Sequence, residues 1–267
     1  MNLCQNFSMP NIPFTLIKPD QCLATDDYKT VHQGLDRLKI ISGIALCTGE
    51  PGSGKTCAVS SWVETLNPNS IDVYWIEDAG RSVASFLKRT AKAMNIEPAY
   101  QPEKVYQELI AAIEQHHRDT RKKLIFVIDE AQQLPPLILE QIRFLTNLGQ
   151  KHPVPISFIL IAHREFLFTL KQHTMTALRR RIVISVSLEG LTRDEITPYL
   201  KHHIQIAGGP DGIFYEQAAD FIFNQSRGVL RLINNIALSA MCKAAKKQQP
   251  RVGQSELTQV INECGEI

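Results

Sequence analysis

A glycine-rich segment at residues 49–56 constrains the fold of this chain more than any other feature of its sequence. It reads Gly-Glu-Pro-Gly-Ser-Gly-Lys-Thr, follows an apolar run at 44–47 and precedes a helical pattern at 57–66. The order strand, glycine-rich turn and helix is typical of a phosphate-binding loop, or P-loop. In such a loop, the backbone N–H groups of the turn and the N-terminus of the helix face phosphate oxygens. The segment therefore predicts nucleotide binding.

The residue types of the P-loop suit the chemistry of a nucleotide. We expect the Lys55 ammonium to contact the β- and γ-phosphates and the Thr56 hydroxyl to bind Mg²⁺. An incidental lysine in a glycine-rich turn is the alternative, and the flanking strand and helix argue against it. The other residues expected to surround the phosphates are Gly49, Glu50, Pro51, Gly52, Ser53 and Gly54.

The composition is that of an ordinary globular protein. Of 267 residues, 44% are hydrophobic and 21% are charged, and a net charge of +2 is too small to indicate nucleic-acid binding by itself. The sequence contains neither a run of about 20 apolar residues nor a signal peptide, so we expect a cytoplasmic protein without membrane segments. No two cysteines form a Cys-x-x-Cys pair, which predicts free thiols in a reducing compartment. The six cysteines are Cys4, Cys22, Cys47, Cys57, Cys242 and Cys264.

Five short apolar runs alternate with helical patterns in the first two thirds of the chain. The runs lie at 44–48, 71–76, 124–128, 156–161 and 182–186, and the helical patterns at 55–66, 82–95, 103–119, 136–149 and 165–180. This alternation predicts an α/β fold with a parallel sheet covered by helices on both faces. After residue 190 only helical patterns follow, at 193–206, 214–225, 229–246 and 255–264. They predict a small all-helical lid domain.

The predicted domain boundaries follow from these patterns. Residues 1–24 are expected to form an irregular arm, residues 25–190 the α/β core, which opens with a helix at 25–39, and residues 191–267 the lid. We expect the arm to pack on the body through Ile12, Phe14 and Ile17. Thr192 begins a capping box at the start of the first lid helix, and Pro198 is expected to distort that helix.

Two acidic residues, Asp129 and Glu130, directly follow the apolar run at 124–128. Ligands of parallel α/β proteins bind at the carboxyl ends of the strands. We therefore expect Asp129 to orient Mg²⁺ and Glu130 to activate the water that attacks the γ-phosphate. Capping of the following helix is the alternative role for these acids. Because the sequence has no Asn-Lys-x-Asp motif for guanine, the predicted nucleotide is ATP.

Four further residues have candidate roles, each with an open alternative. His163 follows the run at 156–161, where its side chain would face either the γ-phosphate or solvent. Arg179 and Arg181 belong to an Arg-Arg-Arg turn, which suits either an arginine finger offered to a neighbouring subunit or a solvated basic turn. Arg231 begins a lid helix, where it would respond to the nucleotide or form a structural ion pair.

With a P-loop, an Asp-Glu pair and a helical lid in this order, the chain resembles the AAA+ ATPases. It is similar to the ATPase module of ExeA-type secretion proteins and to the transposition helper ATPases of the TniB/TnsC and Mu B class. The resemblance implies that His163 is sensor 1 and Arg231 is sensor 2. It likewise assigns Arg179 and Arg181 to the arginine finger. The sequence departs from the common pattern at His163 and at Gln133. The matching segments are 13–14, 49–56, 128–134, 178–182, 188–195, 207–209 and 228–234.

The resemblance implies two functions of different classes. In the first, the protein binds ATP and Mg²⁺, forms a homo-oligomer on double-stranded DNA and recruits or activates a transposase. The end of the chain soon after the lid, without a membrane anchor, favours this hypothesis. In the second, it is a secretion or envelope ATPase that acts on protein partners without DNA. A third hypothesis, a nucleotide-dependent switch that binds ATP with little turnover, also stays open.

Two groups of basic residues are candidate DNA contacts, although such groups are commonly a solvated surface. DNA binding through them would require ATP and weaken steeply with salt, because phosphate contacts release counterions. The first group is Arg118, Arg121, Lys122, Lys123, Lys151, Arg164 and Lys171, and the second is Lys243, Lys246, Lys247 and Arg251.

Overall fold

The computed structural model describes residues 3–15, 18–98, 101–151 and 154–264. The chain divides into two compact units, which we call the sheet unit and the helical unit. The sheet unit comprises Thr30–Gly49 and Val59–Ser187. The helical unit comprises Met1–Lys29, Glu50–Ala58 and Leu188–Ile267, so seven of the eight P-loop residues belong to it.

The five predicted strands are all present, with ends that differ from the predicted ends by at most two residues. They are β1 (Ile44–Gly49), β2 (Ile71–Ile76), β3 (Lys123–Ile128), β4 (Ile156–His163) and β5 (Ile182–Leu188). The strand order is β2-β3-β4-β1-β5, and β2, β3, β4 and β1 pair in parallel. Parallel pairing requires a crossover between successive strands, and the helical segments of the sequence supply it.

Both faces of this sheet are covered, because every residue of β1 and β3 is buried. Successive side chains of a strand point to opposite faces, so complete burial of a strand requires packing on both sides. On one face Leu46, Phe126 and Phe158 belong to a single apolar core, and the rings of Phe126 and Phe158 stack with centroids 5.2 Å apart. The predicted α/β fold with a parallel sheet and helices on both faces is confirmed.

Twelve helices are present in the described part of the chain. The predicted single helix at 165–180 is wrong, because Gln172 adopts an extended conformation that ends one helix, and a 3₁₀ turn at His173–Met175 precedes the next. The helices are α1 (Leu3–Asn6), α2 (Asp26–Asp36), α3 (Lys55–Glu64), α4 (Val83–Ala93), α5 (Pro102–Thr120), α6 (Pro136–Lys151), α7 (Phe166–Lys171), α8 (Thr176–Arg179), α9 (Arg193–Ile206), α10 (Gln217–Ser226), α11 (Leu230–Lys246) and α12 (Gln254–Cys264).

The four helices from α9 to α12 confirm the all-helical region that the sequence predicts after the sheet. They enclose an apolar core of their own, in which Ile222, Ala237 and Leu257 are fully buried. At the start of α9, the Glu195 carboxylate accepts hydrogen bonds from the backbone N–H and the hydroxyl of Thr192, both at 2.9 Å. The helix continues through Pro198 to Ile206, so this proline does not end it.

The N-terminal arm packs within the helical unit, but not through all of the residues expected. Phe14 is buried, and its ring stacks on that of His203 with centroids 5.1 Å apart. The expected burial of Ile12 is wrong, since its side chain is 50% exposed in a turn closed by a hydrogen bond from the Thr15 hydroxyl to the Ile12 carbonyl. Ile17 lies outside the described residues.

Two glycines allow a close approach of backbone segments in the helical unit. The N–H of Leu191 donates to the carbonyl of Gly228 at 2.9 Å, and Gly228 has a φ of +82°. A Cβ at Gly228 would lie 2.2 Å from the carbonyl oxygen of Leu191, and one at Gly190 would lie 2.8 Å from the carbonyl oxygen of Gly228. Neither position can carry a side chain without moving the backbone.

We expect Gly228→Ala to destabilise the helical unit far more than Gly212→Ala. Both residues have positive φ, which costs an alanine about 1–2 kcal/mol. A Cβ at Gly212 would have its nearest heavy atom 3.9 Å away, whereas one at Gly228 would meet backbone at 2.2 Å. Chemical denaturation should therefore give a loss of about 1–2 kcal/mol for Gly212→Ala and at least about twice that for Gly228→Ala. Equal losses would contradict the close approach.

Candidate functional site

The carboxyl ends of three neighbouring strands meet at one edge of the sheet unit. The register of β1 and β4 pairs Gly49 with His163, and that of β3 and β4 pairs Ile128 with Leu160. The P-loop begins at Gly49, the two acids follow Ile128, and His163 ends β4. The parallel register thus brings the start of the P-loop, the acidic pair and the predicted sensor-1 residue to the same edge, where α/β proteins bind ligands.

The P-loop has the backbone that phosphate binding requires. Gly52 and Gly54 have φ values of +82° and +91°, and α3 begins directly after them at Lys55. Lys55 is 6% exposed, and its Nζ donates a hydrogen bond to the carbonyl oxygen of Glu50 at 2.9 Å. The lysine therefore lies back over its own loop, where its ammonium group can exchange a carbonyl oxygen for a phosphate oxygen.

The start of α11 contacts the P-loop within the helical unit. The backbone N–H of Arg231 donates to the carbonyl of Gly52 at 3.1 Å. A Cβ at Gly52 would lie 2.5 Å from the Cβ of Arg231, and one at Gly54 would lie 2.7 Å from Cδ1 of Leu230. Gly52 is thus required by packing as well as by its φ value, and Gly54 by its φ value. The Arg231 side chain is exposed.

The two acids that follow β3 adopt different backbone conformations. The Asp129 Oδ1 accepts the backbone N–H of Glu130 at 2.8 Å, which fixes the Asp129 carboxylate. Glu130 has φ +53° and ψ +38°, a left-handed conformation that is uncommon for a residue other than glycine. Such strained backbone conformations cluster at functional sites. A short 3₁₀ turn, Ala131–Gln133, follows, so the acids precede a turn rather than a long helix.

Polar side chains surround one oxygen of the Glu130 carboxylate. Gln132 Nε2 donates to Glu130 Oε2 at 2.6 Å, and Gln133 Nε2 does so at 3.4 Å. His163 Nε2 lies 3.6 Å from the same oxygen. The Gln132 Oε1 also accepts the backbone N–H of His163 at 3.1 Å. In the sequence, both glutamines stand out only as members of the matching segment 128–134. Their contact with Glu130 depends on the turn after β3.

The arginines of the predicted finger lie away from this edge. The Arg181 carbonyl accepts the backbone N–H of Ile44 at 2.9 Å, so Arg181 is beside the first residue of β1. Five residue steps separate Ile44 from Gly49, or about 17 Å of strand at 3.3 Å per residue. Arg179, the last residue of α8, is exposed. The structure therefore does not bring Arg179 or Arg181 to the edge where Glu130 and His163 lie.

Comparison with known proteins agrees with the fold. Residues 42–170 match a family model described as an AAA domain, and this range contains the P-loop, the acidic pair and His163. The sheet around it has the topology and the carboxyl-edge loop described above. The chain has the fold of a P-loop NTPase.

The proteins similar to this chain come from different cellular systems. General secretion pathway protein A of Aeromonas hydrophila is 26% identical over 228 residues, which are 84% of this chain and 41% of that protein. The Aeropyrum pernix ORC1 protein, solved in complex with DNA, has a TM-score of 0.64 at 15% identity. The match covers 95% of this chain and 67% of the ORC1 chain. The ORC2 protein of the same organism, solved as ADPNP-ADP complexes, has a TM-score of 0.69 at 14% identity. The match covers 97% of this chain and 71% of the ORC2 chain. The two ORC structures share the fold of this chain.

One pair of cysteines contradicts the predicted free thiols. Cys22 and Cys57 form a disulfide across a sequence separation of 35 residues, whereas Cys4, Cys47 and Cys242 are not disulfide-bonded. Cys22 follows the 3₁₀ turn Pro19–Gln21 of the arm, and Cys57 lies in the first turn of α3, directly after Thr56. The sequence gives no signal for this pair, because only the folding of the arm onto the P-loop segment brings the two residues together.

Several of the basic residues considered as DNA contacts already have polar or charged partners. The prediction that Lys123 contacts DNA is wrong, because the residue is buried and its ammonium donates to the carbonyls of Leu38 and Ile41. Burial lowers its pKa to about 8. Lys122 forms an ion pair with Asp72 at 3.0 Å, and Lys243 and Lys247 pair with Glu263 and Glu256 at 2.5 and 2.8 Å. The side chain of Lys151 lies outside the described residues.

No helix in the described ranges is both long and apolar enough to cross a membrane. The same residues contain no group of three or more His, Cys, Asp or Glu side chains arranged to hold a metal ion by themselves.

The disulfide predicts which cysteines react with an alkylating reagent. In protein that has been purified without reductant and then denatured, peptide mapping should show Cys22 and Cys57 unmodified and Cys4, Cys47 and Cys242 alkylated. Prior reduction should make Cys22 and Cys57 react as well. Cys22→Ser is the matched control, because it should leave Cys57 reactive without reduction. Alkylation of both Cys22 and Cys57 in unreduced wild-type protein would contradict the disulfide.

Proposed function

We propose that Glu130 activates the water molecule for ATP hydrolysis. The observation that carries this assignment is the fixed Glu130 carboxylate at the end of β3, with Oε2 held by Gln132 at 2.6 Å. In this mechanism the carboxylate accepts a proton from water while the water oxygen attacks the γ-phosphorus. The bond from the γ-phosphorus to the bridging oxygen breaks, and ADP and phosphate leave.

The P-loop binds the phosphates in this mechanism. Its backbone N–H groups and the N-terminus of α3 donate to phosphate oxygens, and Lys55 contacts the β- and γ-phosphates. The left-handed conformations of Gly52 and Gly54 support this role, since they orient successive N–H groups toward one ligand. The remaining loop residues, Gly49, Glu50, Pro51 and Ser53, complete the cradle.

Thr56 and Asp129 fit the needs of a magnesium ion. A hydroxyl and a carboxylate are oxygen ligands of the type that Mg²⁺ prefers, and the N–H of Glu130 fixes the Asp129 carboxylate at 2.8 Å. The cation supplies charge neutralisation on the phosphate oxygens when it is bound.

His163 and Arg231 are the proposed sensors of the nucleotide. The position of His163, at the end of β4 and 3.6 Å from Glu130 Oε2, supports a contact with the γ-phosphate. The hydrogen bond from the Arg231 backbone to Gly52 supports a role in which α11 responds to the state of the loop. Each sensor would act through a different unit, the sheet unit for His163 and the helical unit for Arg231.

Arg179 and Arg181 act on the site of a neighbouring subunit in this proposal. Their location beside the first residues of β1, about 17 Å of strand from the start of the P-loop, supports action in trans. A guanidinium from a neighbour would stabilise the charge of the transition state, so the active form would be a homo-oligomer. A turnover number independent of protein concentration would contradict this assignment.

The proposed cellular role is that of a DNA-associated ATPase, which assembles on double-stranded DNA and recruits or activates a transposase. The similarity of the fold to an ORC1 protein solved in complex with DNA supports a DNA-associated role. The transposition role rests on the resemblance to helper ATPases in the motifs of the sequence. The paired state of Lys122, Lys243 and Lys247 leaves fewer cations for phosphate contacts than the sequence suggests.

A secretion role is the second candidate. Its support is the match to general secretion pathway protein A over 84% of this chain. Because the chain spans only 41% of that relative, the activity and partners of the whole relative are not transferred by the match. In this role the ATPase would act on protein partners, and its turnover would be indifferent to DNA.

Two substitutions separate binding of ATP from its hydrolysis. Glu130→Gln should lower kcat at least about 100-fold, because general-base catalysis contributes factors of about 10²–10⁴. It should leave the Kd for ATP within about threefold, since the phosphates are held elsewhere. Lys55→Ala should instead abolish detectable ATP binding. Phosphate release and equilibrium binding of a fluorescent ATP analogue measure the two effects.

Glu165→Gln is the matched control for this experiment. Glu165 is an exposed carboxylate two residues after His163, so the change removes one negative charge near the same strand end. It should leave kcat within about twofold of wild type, because surface substitutions away from a site have small effects. Wild-type hydrolysis by Glu130→Gln would show that another residue activates the water.

The DNA-associated role predicts that binding to double-stranded DNA requires ATP and weakens with salt. Affinity should fall by at least about tenfold between 50 and 200 mM salt if three or more phosphates are contacted. Lys55→Ala should bind DNA no better than wild-type protein without nucleotide. Fluorescence anisotropy with a labelled duplex measures both effects. Absence of binding with ATP, or ATPase activity unchanged by DNA, would favour the secretion role.

A further inference from the structure

Gln132 contacts two elements of the sheet unit with the two ends of one side-chain amide. Its Nε2 lies 2.6 Å from Glu130 Oε2, and its Oε1 lies 3.1 Å from the backbone nitrogen of His163. Glu130 follows β3 and His163 ends β4, so the amide bridges the carboxyl ends of two adjacent strands. No role follows from the sequence for this residue beyond its place in the motif.

The orientation of the Gln132 amide is determined by its partners. The backbone N–H of His163 can only donate a hydrogen bond, so it must face the amide oxygen. The Glu130 carboxylate can only accept one when ionised, so it must face the NH₂ group. A flipped amide would lose both hydrogen bonds, and the residue is therefore held in a single orientation.

The two carboxylate oxygens of Glu130 differ in their contacts. Gln132, Gln133 and His163 all approach Oε2, at 2.6, 3.4 and 3.6 Å. Among the described residues, no hydrogen bond reaches Oε1. One oxygen is thus anchored, and the other is available to accept a proton from water.

Gln132 makes the shortest of these contacts, and the geometry of Glu130 needs such an anchor. The residue is half exposed, with a side chain 51% accessible, and its backbone is left-handed at φ +53°. An exposed glutamate side chain with three rotatable bonds samples several rotamers unless hydrogen bonds hold it. The charged hydrogen bond from Gln132 is the strongest candidate for that restraint.

We infer that Gln132 is a positioning residue for ATP hydrolysis, which directs the Glu130 carboxylate toward the attacking water. This inference rests on the proposed role of Glu130 as the base. Gln132 also connects that carboxylate to His163, the partner of Gly49 in the β1–β4 register. The residue that holds the Glu130 carboxylate is therefore hydrogen-bonded to the β4 residue that pairs with Gly49, where the P-loop begins.

The test compares Gln132→Ala with Gln132→Glu. Both changes remove the hydrogen bond to Glu130, and the second adds a like charge beside it. Gln132→Glu, however, keeps an oxygen that can accept the N–H of His163. We expect kcat to fall about 10- to 100-fold in both variants, the range for loss of a hydrogen bond to a charged group, with KM for ATP within about threefold. Both variants should retain the wild-type melting temperature within a few degrees.

Gln133→Ala is the matched control, because Gln133 is the adjacent glutamine and its contact with the same oxygen is 3.4 Å long. It should lower kcat less than threefold. In a Glu130→Gln background, Gln132→Ala should cause no further loss, because the residue acts only through the carboxylate.

Three results would overturn the inference. The first is a wild-type kcat for Gln132→Ala. The second is wild-type activity for Gln132→Glu together with a loss for Gln132→Ala, which would show that only the support of His163 matters. The third is an additional loss in the Glu130→Gln background. Wild-type hydrolysis by Glu130→Gln itself would instead remove the proposed base, so the failure of the proposed function is separable from the failure of this inference.

Discussion

The parallel pairing of β1, β3 and β4 determines where the chemistry of this protein is located. Because the three strands run in the same direction, their carboxyl ends reach one edge, and each ends at a residue of the candidate site or within two residues of one. Burial of β1 and β3 on both faces holds that register, since a shift of one residue would turn apolar side chains to the wrong faces. The positions of Gly49, Glu130 and His163 therefore depend on packing in the sheet.

The helical unit adds a second set of constraints on the P-loop. The start of α11 contacts the loop closely, since a Cβ at Gly52 would lie 2.5 Å from the Cβ of Arg231 and one at Gly54 would lie 2.7 Å from Cδ1 of Leu230. The disulfide between Cys22 and Cys57 attaches the arm to the first turn of α3. Movement of α11 or of the arm would thus displace the loop backbone directly.

Much of this architecture was predictable from the sequence because it depends on local patterns. Continuous apolar runs indicated the strands, and the glycine-rich loop indicated the start of α3. The cysteine pair, the glutamine network around Glu130 and the exposure of Ile12 were not predictable, because each depends on contacts between distant segments or on the conformation of one turn. Gln172 interrupts the helical pattern at 165–180 through its backbone conformation, and its residue type gives no warning of this.

Conversion of bound ATP under single-turnover conditions tests the central claim most directly. With protein in excess over radiolabelled ATP and with Mg²⁺ present, product release does not limit the observed rate, so even a slow ATPase completes one turnover. We predict that the bound ATP is converted to ADP and phosphate, and that chelation of the metal stops the conversion. Stoichiometric binding followed by recovery of intact ATP after hours would contradict the assignment of this edge of the sheet as a site of hydrolysis.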